Sequence, residues 1–537
     1  MPPSRLVTIV AILLSTTLFA AAQGTAPQQR PLPRTAEGKP NLEGIWQASS
    51  TAAADLQDHV AGLSMLAGRS VVAGNEIPYQ PWAAKKKAEN VQTRQTADPL
   101  SKCYMPGVPR IMYLDFPFQI FQTPKAIAMA FEWELDYRLI YTNGTPHAKD
   151  DSFWMGDSRG HWEGDTLVVD VADINDKTWF DMAGDFHSDA LHVVERYRMK
   201  DHDTIEYEAT IEDSKVFTKP WSIKIALHRR TDRDRLFEYV CEAEVQEANG
   251  AFTREERTWY PGIEKAPPVT MAAASLPSAR PSEAAANLPR TRDGKPDLNG
   301  FYLSRTLGAN QGLERGGRGA GRGAPGRGGG RGAQAGVALP GALIIDPPDG
   351  KLPLQSWAIE ERISRRLDER GYDDPTAHCF PPGVPRSMYI PEGFQIVQTP
   401  DFVVFLFERS TWRIVSLGGR AHLPDTMRLW QGDSVGHWEA DTLVVETANL
   451  NGKTWLNEAG DIVSHAEHVV ERFTPAGPAT INYEATITDP VVYTQPWTIA
   501  FPIRHERFEL REAACLEEEH DLPHLKALKD AAAAKKK

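Results

Sequence analysis

Cysteine is scarce in this chain, with four residues in 537. That number is too small for a disulfide-dense mini-scaffold, and the wide spacing of Cys103, Cys241, Cys379 and Cys515 does not suggest a thiolate metal site. Catalytic signatures are missing too. There is no GxSxG elbow, no phosphate-cradling GxxxxGK[ST] loop and no HExxH, which lowers serine hydrolase, kinase and zincin chemistry. The segment GGRGAGRG is not a dinucleotide fingerprint, since no strong strand precedes it and no helix follows. Positive charge is in deficit: the formal net charge of -13 argues against a nucleic-acid partner. Beyond the first residues no apolar run reaches the length of a membrane span.

What is present begins with a leader. Arg5 precedes LVTIVAILLSTTLFAAA, and Ala20, Ala21 and Ala22 close it, the order of a secretory signal peptide over 1–22. The expected location is periplasmic or secreted, with no integral membrane segment left in the mature chain. In an oxidising compartment the natural pairs are Cys103–Cys241 and Cys379–Cys515, free thiols being the alternative.

The dominant feature is a repeat. DSRGHWEGDTLVVDVADI, starting at Asp157, returns as DSVGHWEADTLVVETANL at Asp433, and Cys103 maps to Cys379 at an offset of 276. GKPNLEGIWQ at Gly38 and GKPDLNGFYL at Gly294 mark the two unit starts. The order is a flexible arm (23–36), a first unit (37–262), a Pro/Ala/Ser-rich linker (263–290), a second unit (291–520) and a charged tail expected to fray (521–537). A Gly/Arg-rich insertion at 314–332 reads as a disordered surface loop in the second unit.

Each unit is rich in short alternating segments, clearest in TIEYEATI and WSIKIAL. Strands this closely spaced favour antiparallel meanders. The expected fold is all-β, with two tandem homologous antiparallel units. Each would be a barrel of eight or nine strands with a peripheral helix, an open sheet or sandwich being the alternative. Residues 52–67 and 81–93 are helix-compatible, as is the stretch after Trp357, where Ile359, Ile363 and Leu367 recur at helical spacing.

Candidate chemistry centres on the repeated hairpin. With Gly164 and Asp165 as the turn, Glu163 opposes Thr166, Trp162 opposes Leu167 and His161 opposes Val168. His161 and Glu163 then share one strand face, where an imidazole and a carboxylate can act as acid and base if they look into a cavity. His437 and Glu439 repeat the pair. Trp162 and Trp438, and Arg110 and Arg386 of the stiff Pro-Gly-Val-Pro-Arg turns, are candidate ligand-binding residues, the arginines as paired donors to a carboxylate or phosphate. The competing role for the arginines is a salt bridge to Glu132 or Glu408. Glu195 with Arg196, and Glu471 with Arg472, would form charged networks at a barrel mouth. Three imidazoles per unit, His147, His161 and His192 or His422, His437 and His468, supply the usual minimum for a catalytic zinc or copper site if their strands converge. No cofactor is legible. The repeat fails locally where Arg409 replaces Trp133 and Thr411 stands near the place of Asp136.

The stretches Cys379–Arg386, Gln398–Pro400, Gly432–Val445, His468–Arg472, Tyr483–Asp489 and Tyr493–Trp497 carry CxPPGxPR, QTP, GDSxGHWEADTLVV, HVVER, YEATITD and YTQPW. In these the chain resembles a widespread group of exported bacterial proteins of unassigned activity. The resemblance implies export and no catalytic assignment. A looser likeness to lipocalin-type barrels rests on the Gly-x-Trp at Gly44–Trp46. Three functions follow as expectations. The first is binding of a small, partly apolar or glycan-like ligand in one or both barrels. The second is a hydrolase, lyase or isomerase built on the His/Glu pair. The third is an envelope scaffold.

Overall fold

The structure, a computed structural model, describes residues 31–62, 66–148, 151–248, 287–306, 308–314 and 343–535. The expected signal peptide, most of the linker and all but Glu314 of the Gly/Arg insertion lie outside these residues.

In the first unit nine strands follow in order: β1 (Gly44–Ala48), β2 (Phe118–Gln122), β3 (Ala126–Phe131), β4 (Tyr137–Tyr141), β5 (Asp157–Glu163), β6 (Thr166–Ala172), β7 (His192–Asp201), β8 (Thr204–Glu212) and β9 (Trp221–Arg229). Each pairs with its sequence neighbours, and β9 returns to β1, so the sheet closes and has no free edge. The second unit repeats this with β10 (Gly300–Leu303), β12 (Phe394–Gln398), β13 (Phe402–Phe407), β14 (Thr411–Ser416), β15 (Asp433–Glu439), β16 (Thr442–Ala448), β17 (His468–Gly477), β18 (Thr480–Thr488) and β19 (Trp497–Glu506). There β19 pairs with β10, and a short extra strand, β11 (Ile344–Asp346), adds to β19. The expected barrels are therefore formed, with one departure from antiparallel order. β4 and β5 run parallel, as do β14 and β15, so the connection between them is a crossover and not a hairpin.

The hairpin register is the one its turn residues specify: Glu163 opposes Thr166, Trp162 opposes Leu167 and His161 opposes Val168. Gly164 takes φ +59°, and Ala440 takes the same left-handed conformation at φ +51°, so the second turn keeps its shape without glycine. The arm is tied down at Arg34, whose guanidinium holds Asp165 at 2.8 and 2.7 Å, and Arg290 repeats this grip on Asp441. Gly44 sits at φ +138°, where a Cβ would meet the Arg229 guanidinium at 1.9 Å. That guanidinium stacks over the buried Trp46 ring at 4.2 Å, locking the last strand over the first.

Both barrel interiors carry buried apolar side chains around a charged pair. Arg138, buried in the first, donates to both oxygens of Glu195 at 3.0 and 2.6 Å. Tyr197 and Tyr207 donate to the same carboxylate at 3.0 and 2.7 Å. Arg413, Glu471 and Tyr483 repeat the network in the second barrel. Glu195 and Glu471 thus point inward while Arg196 and Arg472 point outward to Glu163 and Glu439. Adjacent strand residues face opposite sides, so the expected mouth networks of neighbours do not form.

β3 and β13 read AIAMAF and FVVFLF with no polar alternation, and both faces are buried. Their inward side chains fill the lumens. Their outward ones, Ala128 and Ala130 against Val404 and Leu406, join a third apolar core between the units. The contact is reciprocal: Tyr137 donates to the Phe407 carbonyl at 2.9 Å, and Trp412 donates to the Phe131 carbonyl at 2.7 Å. This is the self-complementary pattern of a two-fold dimer, here written into one chain.

The helices differ more from expectation. Helices span Pro81–Ala97 and Ser356–Arg365, but described residues 52–62 form turns. Ile359, Ile363 and Leu367 face outward, and the second helix buries Trp357, Glu361, Arg362 and Arg365 instead. Its charged face docks because partners wait there: Arg362 meets Glu314 at 2.8 Å and Asp461 at 2.5 Å. The tail does not fray throughout, since Leu522–Lys535 is helical and Lys529 reaches Asp373 at 2.8 Å.

Candidate functional site

The sequence-derived candidates divide sharply by where their strands carry them. His161 and Glu163 do make contact, at 3.4 Å, but their side chains are 61% and 50% exposed. They lie on the outer barrel wall, and Arg196 holds Glu163 below its ordinary range together with His161. His437 and Glu439 repeat this at 3.3 Å. Neither pair looks into a cavity, which corrects the expected acid–base pocket. Period-two alternation places the two residues on one face, and that face is the solvated one.

The three imidazoles of each unit do not converge. His147 contacts Asp157 at 3.1 Å and Asp170 at 3.0 Å, and His192 reaches the same Asp170 oxygen at 3.0 Å. His161 lies four residues along β5 from Asp157, roughly 13 Å away at ~3.3 Å per residue. In the second unit His422 meets Asp433 at 3.3 Å and His468 meets Glu446 at 2.7 Å, with His437 equally remote.

Arg110 and Arg386 have no free fork. Each is buried and bidentate to an aspartate twelve residues upstream, Asp98 at 2.8 and 2.8 Å and Asp374 at 2.8 and 2.9 Å. Neither Glu132 nor Glu408 is the partner. Trp162 and Trp438 are part-buried against the barrel cores, with Lys39 and Lys295 at 5.9 Å from their rings.

The concave site lies elsewhere, in the cleft where the two units meet. Two straps build it. After β9 the chain reaches across so that Glu238 accepts the backbone N–H groups of Trp430 and Gln431. After β19, Glu512 accepts those of Trp154 and Met155 at 2.6 and 2.8 Å. Each strap ends at a disulfide, Cys103–Cys241 or Cys379–Cys515, and both pairs are those the compartment argument predicts. The disulfides line a cavity of about 60 Å³, and a neighbouring one of about 70 Å³ shares Met105, Asp136 and Ser410 with it.

The chemistry of this cleft comes from the place where the repeat fails. The β3–β4 turn of the first unit reads EWELD, with Glu134 and Leu135 both left-handed at φ +50° and +55°. The second unit has ERST there, one residue shorter. Two carboxyls, Glu134 and Asp136, therefore enter the cleft from one side, facing Arg409, Ser410 and Thr411 from the other. Asp136 is 2% exposed, and among the described residues its Oδ2 has no hydrogen-bond partner; the Oγ1 of buried Thr411 has none there either. Burial, then the nearby Glu512, pushes Asp136 well above the ordinary carboxylate range. Burial, then Asp136, does the same to Glu134. Both shifts favour the protonated form, in which a carboxyl can donate as well as accept, and the two groups stand opposite a guanidinium and beside the Trp154 ring. Sequence reasoning marked Arg409 and Thr411 as departures from the repeat but not Glu134 or Trp154; the extra acidic residues in one hairpin were the signal.

Comparison with protein-family models, with curated proteins and with solved structures found no match to this chain.

Proposed function

We propose that this is an exported binding protein whose small, partly apolar ligand lies in the cleft between the barrels, not in either lumen. The observation that carries the reading is the unpartnered, buried Asp136 oxygen facing a cavity whose far wall also leaves the Thr411 hydroxyl unpartnered. Buried polar atoms without partners are costly, and a ligand that bonds to both relieves that cost. Buried Arg138–Glu195 and Arg413–Glu471 pairs occupy the two lumens and support the same reading. Cavities of about 60 and 70 Å³ suit a molecule of a few heavy atoms, so an extended glycan is disfavoured. A second reading, acid catalysis as a hydrolase, lyase or isomerase in the same cleft, is favoured by the upward shift that burial gives Asp136 and Glu134.

The test is native mass spectrometry of protein purified from the exported fraction, comparing the wild type with Asp136→Leu. A small molecule retained by the wild type and lost by a folded variant is the expected outcome. Equal retention by both would move the ligand out of the cleft and end this reading. Chemical change of the recovered molecule over time would decide for the enzyme.

A further inference from the structure

At the opposite kind of place, deep under the first unit's N-terminal loop, a turn repeated in both units carries different charges. Residues 181–185 read DMAGD, and residues 457–461 read NEAGD. In the second unit the turn is self-satisfied. Asn457 donates its amide to Asp461 at 2.7 Å, and Arg362 bridges Asp461 to Glu314. In the first unit Asp181 replaces the amide, so two fully buried carboxylates face each other. Asp55 brings a third, and one oxygen from each of the three lies within 4.8 Å of the others.

The surroundings supply too few positive groups. Lys87, the counterpart of Arg362, meets Asp185 at 2.9 Å, and Tyr79 donates to the same oxygen at 2.7 Å. Backbone N–H groups of Leu56 and Asp185 satisfy Asp181 at 2.9 and 3.1 Å, and that of Gln57 reaches Asp55 at 2.8 Å. The other Asp185 oxygen, wholly buried, has no hydrogen-bond partner among the described residues. Among the described residues three carboxylates stand against one ammonium, with the His59 imidazole near Asp55 as the other group that can carry positive charge. Adjacent buried carboxylates cannot both remain charged, so the cluster must hold either a shared proton or a cation.

We propose that Asp55, Asp181 and Asp185 form a binding site for one hard divalent cation of the calcium or magnesium class. All three ligands are oxygen donors, as such ions require, and the part-buried Asp55 gives the route of entry. Bound there, the ion fastens the loop at Asp55 and the 181–185 turn beneath the Pro81–Ala97 helix that carries Lys87. The second unit has replaced that fastening with Asn457 and Arg362.

The experiment uses the full chain freed of metal by chelation, with calcium chloride or magnesium chloride added alone and followed by calorimetry and thermal unfolding. The proposal expects one equivalent of either ion to bind and the midpoint to rise by a few degrees. Asp181→Asn, which installs the residue the second unit already tolerates, should abolish both responses while the variant stays folded. No uptake by the wild type at about 10 mM of either ion, above the weakest protein affinities, would assign the cluster to a shared proton. Unchanged uptake by Asp181→Asn would place the ion elsewhere. Either result overturns the proposal.

Discussion

The two barrels share strand order, hairpin register, disulfide position and a buried Arg–Glu pair, yet they differ where the β3–β4 turn adds Glu134 and Asp136 to the first unit and where Asp181 stands in the place of Asn457. What is repeated holds each barrel closed and holds the units together. What is not repeated puts unpaired carboxyls at concave or buried places. Duplication thus works as an internal control: a residue kept in both copies at a structural contact needs no ligand to explain it, while an acid in one copy calls for a partner.

The largest effect tests the shared part. Arg138→Met and Arg413→Met each leave a buried glutamate without its cation, a loss of about 3–5 kcal/mol by precedent for such pairs. The copies should not suffer equally. Glu195 keeps two tyrosine hydroxyls, whereas Glu471 keeps only Tyr483, because Phe473 stands where the first unit has Tyr197. Urea unfolding should therefore show the second-unit variant weaker by about 1 kcal/mol, one hydrogen bond's worth. Equal losses would mean that the tyrosines contribute nothing to holding the carboxylate.

A smaller effect separates the straps. Burial pushes Glu238 up to about 7, against its ordinary value near 4.5. Between those values the folded chain keeps a proton that the unfolded chain releases, so stability falls as pH rises through that window and levels off above it. The full loss is about 2 kcal/mol, at ~1.36 kcal/mol per pKa unit less the screening of a part-buried side chain. Glu238→Gln should lessen the fall of the thermal midpoint between pH 5 and 8, leaving only what upward-shifted groups such as Asp136 and Glu134 add. A slope that survives in this variant would have to come from another group.

Much of the fold was legible because alternation and repetition are local signals. TIEYEATI and WSIKIAL announced strands, Gly164–Asp165 fixed a register, and the paired cysteines fell at equivalent ends of two copies. The helix after Trp357 misled, because its apolar residues face out and its arginines bury against Glu314 and Asp461, partners far away in sequence. The cleft was hidden for the same reason. It is assembled from a turn of one unit, a turn of the other and two straps that cross between them, and no spacing along the chain encodes a contact such as Glu512 with Trp154. Its trace was negative: EWELD against ERST, a local break in the repeat.

The smallest predicted effect decides what the most conspicuous motif is for. His-Trp-Glu is kept in both hairpins, and the shared strand face of its imidazole and carboxylate made it the catalytic candidate. In the structure its histidine and glutamate stand on the solvated wall, with Arg196 or Arg472 completing an exposed charge cluster at 2.6 Å from the carboxylate. Exposed pairs of this kind contribute about 0–1 kcal/mol. His161→Ala and His437→Ala, singly or together, should shift stability by less than ~0.5 kcal/mol each and leave ligand retention unchanged. Trp162→Ala should cost more, since the tryptophan between them packs on the core. If instead the histidine variants lost the ligand while the Asp136 variant kept it, the outer wall would be the working surface, and the symmetry of the two units, not their difference, would define the function.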